Sequence, residues 1–201
     1  MKHREKFELD FEEKKFLIEL VRSTIAAELK INYPKPKRPV SGRLQDPLGA
    51  FVTLRENGEL RGCIGNIMAD QPLEGTIKRM AIESAFYDPR FEPMAPDEFN
   101  RMDVEISILG PVEKVADIQM IEIGIHGLII KQGRNQGLLL PQVALEYQWD
   151  RTKFLEHTCQ KAALPRNAWK DSRTEIFYFS ALVFSEEDFV KKNMDHSSSP
   201  K

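Results

Sequence analysis

Cysteine is scarce in this chain of 201 residues, which contains only Cys63 and Cys159. Two widely separated cysteines give no disulfide framework, and their spacing is not that of a zinc site. No pair of histidines has the spacing of metal ligands either, so we expect no metal centre. Free thiols are typical of a reducing compartment, and the sequence therefore predicts a cytoplasmic location.

Long apolar runs are also missing. No stretch approaches the roughly 20 apolar residues that a membrane-spanning helix needs. The charged residues 1–6 are not followed by an apolar segment, and we therefore expect no secretory signal. The net charge of -2 and the pI near 6.1 give no electrostatic basis for non-specific binding to nucleic acid or to a membrane surface.

Cofactor-binding motifs are absent from the sequence as well. We find no phosphate-binding loop, no dinucleotide-binding glycine pattern and no serine of the nucleophile-elbow type, and we expect no bound cofactor. The composition, 41 % hydrophobic and 30 % charged, is that of an ordinary globular protein with a sizeable core. We expect one folded domain over residues 9–193 and a disordered polar tail over residues 194–201.

Apolar periodicity and turn residues predict a mixture of helices and hairpins. Helices are predicted after Asp10, after Pro72 and after Asp150, the first with Glu13 in capping-box position. Hairpins are predicted around Asn57-Gly58 and around a loop at 132–136. Strands are predicted at 103–109, with one wet face, and at 175–184, in the centre of a sheet. This order favours an α+β fold with mainly antiparallel sheets and flanking helices.

Residues 60–65, Leu60-Arg61-Gly62-Cys63-Ile64-Gly65, place a thiol and a guanidinium among glycines in the return strand of the first hairpin. Because side chains alternate along a strand, Arg61 and Cys63 are expected on the same face. Gly62 and Gly65 let another backbone or a ligand approach closely. A cation beside a thiol favours the reactive thiolate. The alternative is that the glycines serve the bend and that Cys63 is a small buried hydrophobe.

Four other residues can carry chemistry. His126 stands between glycines and is the natural base for a thiol, although a lone histidine is often a structural hydrogen-bonding group. Asp88 and Arg90 flank Pro89 and form either an anion clamp or a surface ion pair at a helix end. Gln142 follows Pro141 and either lines a pocket or belongs to a simple turn. We expect a functional cleft to gather Arg61 and Cys63 with at least one of these four side chains.

Taken in order, the motifs resemble the AMMECR domain family, also called protein A of the AmmeMemoRadiSam system in archaea and bacteria. The resemblance spans nearly the whole chain, from the first helix to the last strand. One departure is Ala163, where a glycine is expected. The matching stretches are 51–54, 60–65, 88–91, 105–109, 127–130, 139–143, Lys161-Ala162, Leu164-Pro165 and Trp169.

The resemblance implies an α+β body with a larger and a smaller lobe, and it leaves the boundary between the lobes open. It also implies association with a Memo-type protein and a radical S-adenosylmethionine protein, but no established reaction. Two functions are open. The first is an accessory or binding component that presents residues 60–65 to a partner or its substrate. The second is an enzyme acting on a small molecule or a nucleic-acid base, with Cys63 as nucleophile and His126 as base. The residues expected to contact a substrate or partner are Arg61, Gly62, Gly65, Asp88, Arg90 and Gln142.

Overall fold

The computed structural model describes residues 7–40, 42–67 and 71–189. The chain divides into two units. The first comprises Met1–Ile108 and Leu182–Lys201, and the second comprises Leu109–Ala181. The tail predicted to be disordered, residues 194–201, lies outside the described residues.

The first unit combines two long helices with an antiparallel sheet. Its helices are α1 (Phe11–Glu28) and α2 (Leu73–Phe86), and its strands are β1 (Ala50–Glu56), β2 (Glu59–Asn66) and β3 (Met102–Leu109). β1 pairs with β2 on one side and with β3 on the other, so β2 forms an edge of the sheet. A short 3₁₀ helix, Arg43–Gln45, precedes β1.

The core of the first unit lies between the two helices and one face of the sheet. α1 begins with the predicted capping box, in which Asp10 accepts from the Glu13 N–H at 2.8 Å and Glu13 accepts from the Asp10 N–H at 2.7 Å. Apolar side chains at helical spacing are then fully buried. The core includes Leu17, Val21 and Ile25 of α1, Ile77 and Ala81 of α2, Val52 and Leu54 of β1, and Ile106 of β3.

The second unit contains a smaller antiparallel sheet and two helices. Its elements are β4 (Glu113–Lys114), β5 (His126–Gln132), β6 (Asn135–Leu139), α3 (Pro141–Glu146), α4 (Arg151–Lys161) and most of β7 (Glu175–Ser185). β5 pairs with β6 and with β7, and β4 also pairs with β7. Asp150 caps α4 by accepting from the Lys153 N–H at 2.8 Å, as predicted. Phe154, Leu155 and Cys159 bury one face of α4 in the core of this unit.

Three helices end in the same backbone motif without a glycine. After α1, α3 and α4, the residues Lys30, Gln148 and Ala163 have φ values of 58°, 53° and 55°. After α4, the Ala163 N–H donates to the Gln160 carbonyl and the Leu164 N–H donates to the Cys159 carbonyl, both at 2.9 Å. These are the two hydrogen bonds of a Schellman motif. The alanine at position 163 therefore adopts the left-handed conformation for which a glycine was expected.

The predicted α+β fold with antiparallel sheets is confirmed, with three local differences. The second hairpin turns on Gly133 and Arg134 alone, since Gln132 pairs with Asn135, so the predicted loop over 132–136 is too long. α3 was not predicted, because Pro141 was interpreted as the end of a strand; proline is well tolerated at the first position of a helix. Along β3 the predicted wet face is only partly exposed, since Ser107 is buried.

Over the described ranges, no helix combines the length and the apolar character that crossing a lipid bilayer requires.

Candidate functional site

The β1–β2 hairpin positions the residues of the candidate site. Its turn is formed by Asn57 and Gly58, with φ values of 52° and 80°, which confirms the predicted tight turn. Leu54 pairs with Gly62 whereas Arg55 pairs with Leu60, so Arg61 is the extra residue of a β-bulge. A bulge bends its strand and redirects a side chain, and here the redirected side chain is Arg61.

Gly62 is required by the close approach of α2. A Cβ at this position would lie 2.1 Å from the carbonyl oxygen of Ser84. The Ser84 hydroxyl is inserted between β1 and β2, where it donates to the Val52 carbonyl at 2.8 Å and accepts from the Ile64 N–H at 2.9 Å. Because Gly62 faces α2, alternation along β2 directs Cys63 to the opposite face of the sheet. The bulge interrupts this alternation at Arg61, so the predicted common face of Arg61 and Cys63 stays a prediction.

At Gly65, the second predicted glycine of this segment, the group that approaches closely is an aromatic ring and not another backbone. A Cβ at this position would lie 2.1 Å from the ring of Phe51, its cross-strand partner. The ring therefore lies against the Gly65 backbone.

The backbone of Cys63 is held by a carboxylate and a guanidinium. Its N–H donates to Asp88 Oδ2 at 2.9 Å, and its carbonyl accepts from Arg90 Nη2 at 3.2 Å. Arg90 also donates to both carboxylate oxygens of Asp88, at 2.9 and 2.7 Å. The Asp88 side chain is 1 % exposed, whereas the Arg90 side chain is 51 % exposed. Asp88 and Arg90 thus fix the position of Cys63 and leave one side of the guanidinium open to solvent.

The ionisation of Asp88 follows from these hydrogen bonds. The side-chain bonds from Arg90 hold the pKa of Asp88 well below its ordinary value, although burial opposes this shift. The backbone N–H groups of Cys63 and Arg90 lower it further. In return, the Asp88 carboxylate raises the pKa of Arg90. The pair is therefore fully charged at neutral pH.

Arg61 reaches the same region from the bulge. Its guanidinium pairs with Glu98, with Nε 2.5 Å from Oε1, and Nη2 donates to the Glu92 carbonyl at 2.9 Å. The hydrogen bond from Arg61 lowers the pKa of Glu98. The Phe91 ring lies 5.7 Å from the guanidinium carbon of Arg61 and 5.5 Å from that of Arg90. Two guanidinium groups thus contact one aromatic ring close to Cys63.

The thiol of Cys63 is half-buried and has a polar neighbour. The hydroxyl of Thr53, its cross-strand partner on β1, donates to Cys63 Sγ at 3.3 Å. On its other side Thr53 is paired with Glu105 of β3. Cys63 is thus more exposed than the fully buried Cys159, and a chemical role for its thiol stays a prediction.

Several residues of this site were not predicted. Thr53, Ser84, Phe91, Glu98 and Glu105 come from four separate segments of the chain, and local patterns do not bring them together. The available signal was the alternation of Glu105 and Ser107 with apolar residues along β3. We interpreted it only as a wet face.

The second unit holds the two remaining predicted residues, His126 and Gln142. His126 Nδ1 accepts from the Glu122 N–H at 3.1 Å, and the ring lies 4.6 Å from the Tyr178 ring. Gln142 lies in the first turn of α3, and its buried Oε1 has no hydrogen-bond partner among the described residues. The first unit brings Cys63 together with Asp88, Arg90 and Arg61. A role for His126 or Gln142 in the same site stays a prediction.

Metal ligands do not cluster in the parts of the chain that the structure describes. No group of three or more histidine, cysteine, aspartate or glutamate residues there could hold a metal ion.

Comparison with known proteins identifies the family. The AMMECR1 family model matches residues 18–184, which include every site residue described above. The chain belongs to the AMMECR1 family.

Relatives in this family align over most of their length. Protein MK0488 of Methanopyrus kandleri is 41 % identical over 189 residues, which cover 90 % of this chain and 91 % of the relative. Protein Mbar_A1807 of Methanosarcina barkeri is 44 % identical over 183 residues, which cover 85 % of this chain and 89 % of the relative. The similarity to these proteins therefore extends over most of this chain.

A solved structure supports the fold. The crystal structure of the uncharacterised protein PH0010 from Pyrococcus horikoshii is similar, with a TM-score of 0.82 and 38 % sequence identity. The match covers 90 % of this chain and 95 % of that protein. The AMMECR1 fold is thus the fold of this chain.

Proposed function

We propose that this AMMECR1-family chain is an accessory binding component that acts with a Memo-type protein and a radical S-adenosylmethionine protein in the cytoplasm. Its contact surface is the group formed by Arg61, Cys63, Arg90 and Phe91, which we call the Cys63 surface. The presence of two free cysteines supports the reducing compartment assumed here. The observation that carries the proposal is the hydrogen bonding of the Asp88–Arg90 pair to both backbone groups of Cys63.

Preorganisation is the physical reason for a binding role. A surface that is already held in one conformation loses little entropy when a partner docks on it. Here the buried Asp88 orients Arg90, and Glu98 orients Arg61. Arginine and aromatic side chains are also the types that contribute most to protein–protein binding energy.

The binding role is tested by calorimetry with the purified Memo-type and radical S-adenosylmethionine proteins of the same organism. Arg90→Lys keeps the positive charge but removes the planar fork, and we expect at least about tenfold weaker binding. Arg173→Lys is the matched control, because Arg173 also pairs with an aspartate two residues earlier, Asp171, but lies in the second unit. If neither protein binds the wild-type chain, or if both variants bind alike, the binding role is wrong.

A second function, a thiol-dependent enzyme, is favoured by one specific contact. The half-buried Cys63 accepts a hydrogen bond from the Thr53 hydroxyl. The guanidinium groups of Arg61 and Arg90 both lie against the Phe91 ring and are the cations that would contact an anionic substrate. The proposed nucleophile is Cys63, and the substrate class is a small molecule or a nucleic-acid base. Alkylation of Cys63 in the folded protein tests its reactivity. If a partner protein protects Cys63 from alkylation, the partner binds the Cys63 surface; if it does not, the partner binds elsewhere.

A further inference from the structure

A cavity lies in the first unit between α1, α2 and the extended segment that follows α1. Its volume is about 760 Å³, which is within the range of small-molecule sites. The floor is apolar, since Phe16 and Leu20 of α1 are 4 % and 5 % exposed and Ile82 of α2 is half-buried. None of the described residues that line it belongs to the Cys63 surface, so the cavity is a separate feature of this unit.

One wall of the cavity is formed by residues 33–40, which we call the strap. Its burial repeats every three residues, because Tyr33, Pro36 and Pro39 are half-buried and the residues between them are exposed. This is the period of a polyproline II helix, which prolines stiffen by fixing φ. The Tyr33 ring also lies edge-on to the Phe99 ring, with 5.6 Å between the centroids. The strap is therefore a rigid wall that holds its basic residues at the surface.

Positive charge is in excess around the cavity, although the whole chain has a net charge of -2. Four cations and two carboxylates line it: Lys35, Arg38, Lys78, Arg79, Glu28 and Glu74. Glu74 is shared, since Arg38 Nε lies 3.1 Å and Lys78 Nζ lies 2.9 Å from its carboxylate oxygens. Lys35 has no ion-pair partner among the described residues. An anionic group would therefore balance charge that the chain leaves uncompensated at this rim.

The hydroxyl groups of α1 that line the cavity are already engaged with their own helix. Ser23 Oγ donates to the Leu20 carbonyl at 3.1 Å, and Thr24 Oγ1 donates to the same carbonyl at 2.7 Å. With their protons turned to the helix backbone, these side chains offer no hydrogen-bond donor to a ligand. The floor therefore suits an apolar group, and the rim of cations suits an acidic one.

We propose that this cavity binds a small amphipathic acid, an organic molecule that combines an apolar chain or ring system with one anionic group. The apolar part packs on Phe16, Leu20 and Ile82, because removing apolar surface from water is favourable. The anionic group contacts Lys35 and Arg38 of the strap. Since the strap is rigid before the ligand arrives, little conformational entropy is lost on binding. This site does not depend on the partner binding proposed for the Cys63 surface.

The test uses two fluorescent probes that share one ring system. Anilinonaphthalene sulfonate is anionic, and phenylnaphthylamine is its uncharged counterpart. We expect saturable binding of the anionic probe to the wild-type chain, with an affinity that falls as salt is added, because the rim cations are exposed. If the anionic probe does not bind, or if salt leaves its affinity unchanged, the inference is overturned.

Removing the strap charges separates the rim from the floor. The double variant Lys35→Gln/Arg38→Gln changes two exposed side chains and should bind the anionic probe about tenfold more weakly, with the affinity for the uncharged probe unchanged. The matched control is Lys131→Gln/Lys153→Gln, which removes two exposed lysines of the second unit and should retain both affinities. Equal losses in the two double variants would reveal a general charge effect and overturn the site.

Filling the cavity tests its location. Ala27 lines the cavity and is exposed, so Ala27→Trp places a ring there without disturbing the core. Both probes should then lose binding, whereas the strap variant affects only the anionic one. Melting temperatures establish that each variant is folded. A folded Ala27→Trp chain that binds both probes as the wild type does would place the probes elsewhere and overturn the inference.

Discussion

The carboxylate of Asp88 accepts a hydrogen bond of 2.9 Å from the backbone N–H of Cys63, across 25 residues of sequence. β2 is an edge strand, and outward backbone groups on an edge can pair with another chain. Asp88 and Arg90 together occupy both of these groups at Cys63. The edge is therefore closed to pairing with another strand at Cys63.

Removing the Asp88 charge should lower stability in a pH-dependent way. The pKa of Asp88 is lower in the folded chain than in the unfolded chain, so its contribution is fully present above the unfolded value of about 3.9 and is lost as pH falls through the folded value. We expect Asp88→Asn to cost about 2 kcal/mol of unfolding free energy at pH 7, with the difference from wild type shrinking below about pH 4. Urea denaturation at several pH values measures this.

The control for this experiment is Asp171→Asn. Asp171 pairs with Arg173 at the same two-residue spacing, and its pKa is also lowered, but its side chain is 30 % exposed and solvent screens the pair. Asp171→Asn should therefore change stability far less. Equal losses for the two variants would contradict the structural role of Asp88.

Replacing each cysteine by serine separates a functional thiol from a packed one. Cys63→Ser should leave the melting temperature nearly unchanged, because the site is half-buried and Thr53 remains as a hydrogen-bond partner. It should abolish alkylation and weaken function. Cys159→Ser should lose about 1–3 kcal/mol of stability, since it introduces a hydroxyl into a fully buried site. Both variants are compared by thermal denaturation and by partner binding. A Cys63→Ser variant that is destabilised but binds normally would show that Cys63 has a structural role only.

Gly62→Ala should destabilise the first unit strongly. The new methyl group would lie 2.1 Å from the Ser84 carbonyl oxygen, so α2 or the hairpin must shift. We expect a loss of about 2–3 kcal/mol, as for overpacked cores. Gly42→Ala is the control, because its φ is -80° and no atom lies within 4 Å of the added Cβ. Chemical denaturation of the two variants compares them; similar stabilities would mean that the close approach of α2 is relaxed in solution.

Ala163→Gly should stabilise the protein. Ala163 is exposed and has a φ of 55°, a conformation that glycine adopts without strain. We expect a gain of about 0.5–1 kcal/mol in unfolding free energy. Ala162→Gly, at a φ of -82°, should instead destabilise the end of α4. Melting curves of the pair decide this, and a loss at both positions would refute the strain argument.

The sequence predicted elements whose signals are local. Asn57-Gly58 specifies a tight turn, and Asp10 and Asp150 specify helix starts, because each acts on backbone groups within a few residues. The pairing of Asp88 with Arg90 was also predictable, since the two residues lie two positions apart at a helix end. The choice between an anion clamp and an ion pair stays a prediction.

The remaining parts of the site depend on strand register. Glu105 lies beside Thr53 only because β3 pairs with β1 across some fifty residues, and no local pattern encodes that pairing. The role of Ser84 could not be predicted from the sequence, because its hydroxyl forms its hydrogen bonds only where α2 packs against the hairpin. The short helix α3 was missed because a proline after a strand is compatible with either a turn or a helix start.

The division of the chain has a consequence for its synthesis. The second unit is one continuous segment, Leu109–Ala181, inserted into the first. Arg22 of α1 pairs with Glu186, which also accepts from the Val104 N–H at 3.0 Å. On the ribosome, the segment of the inserted unit is complete before Glu186 has been made. The first unit, although it begins first, must therefore wait for nearly the last described residues to close its own contacts.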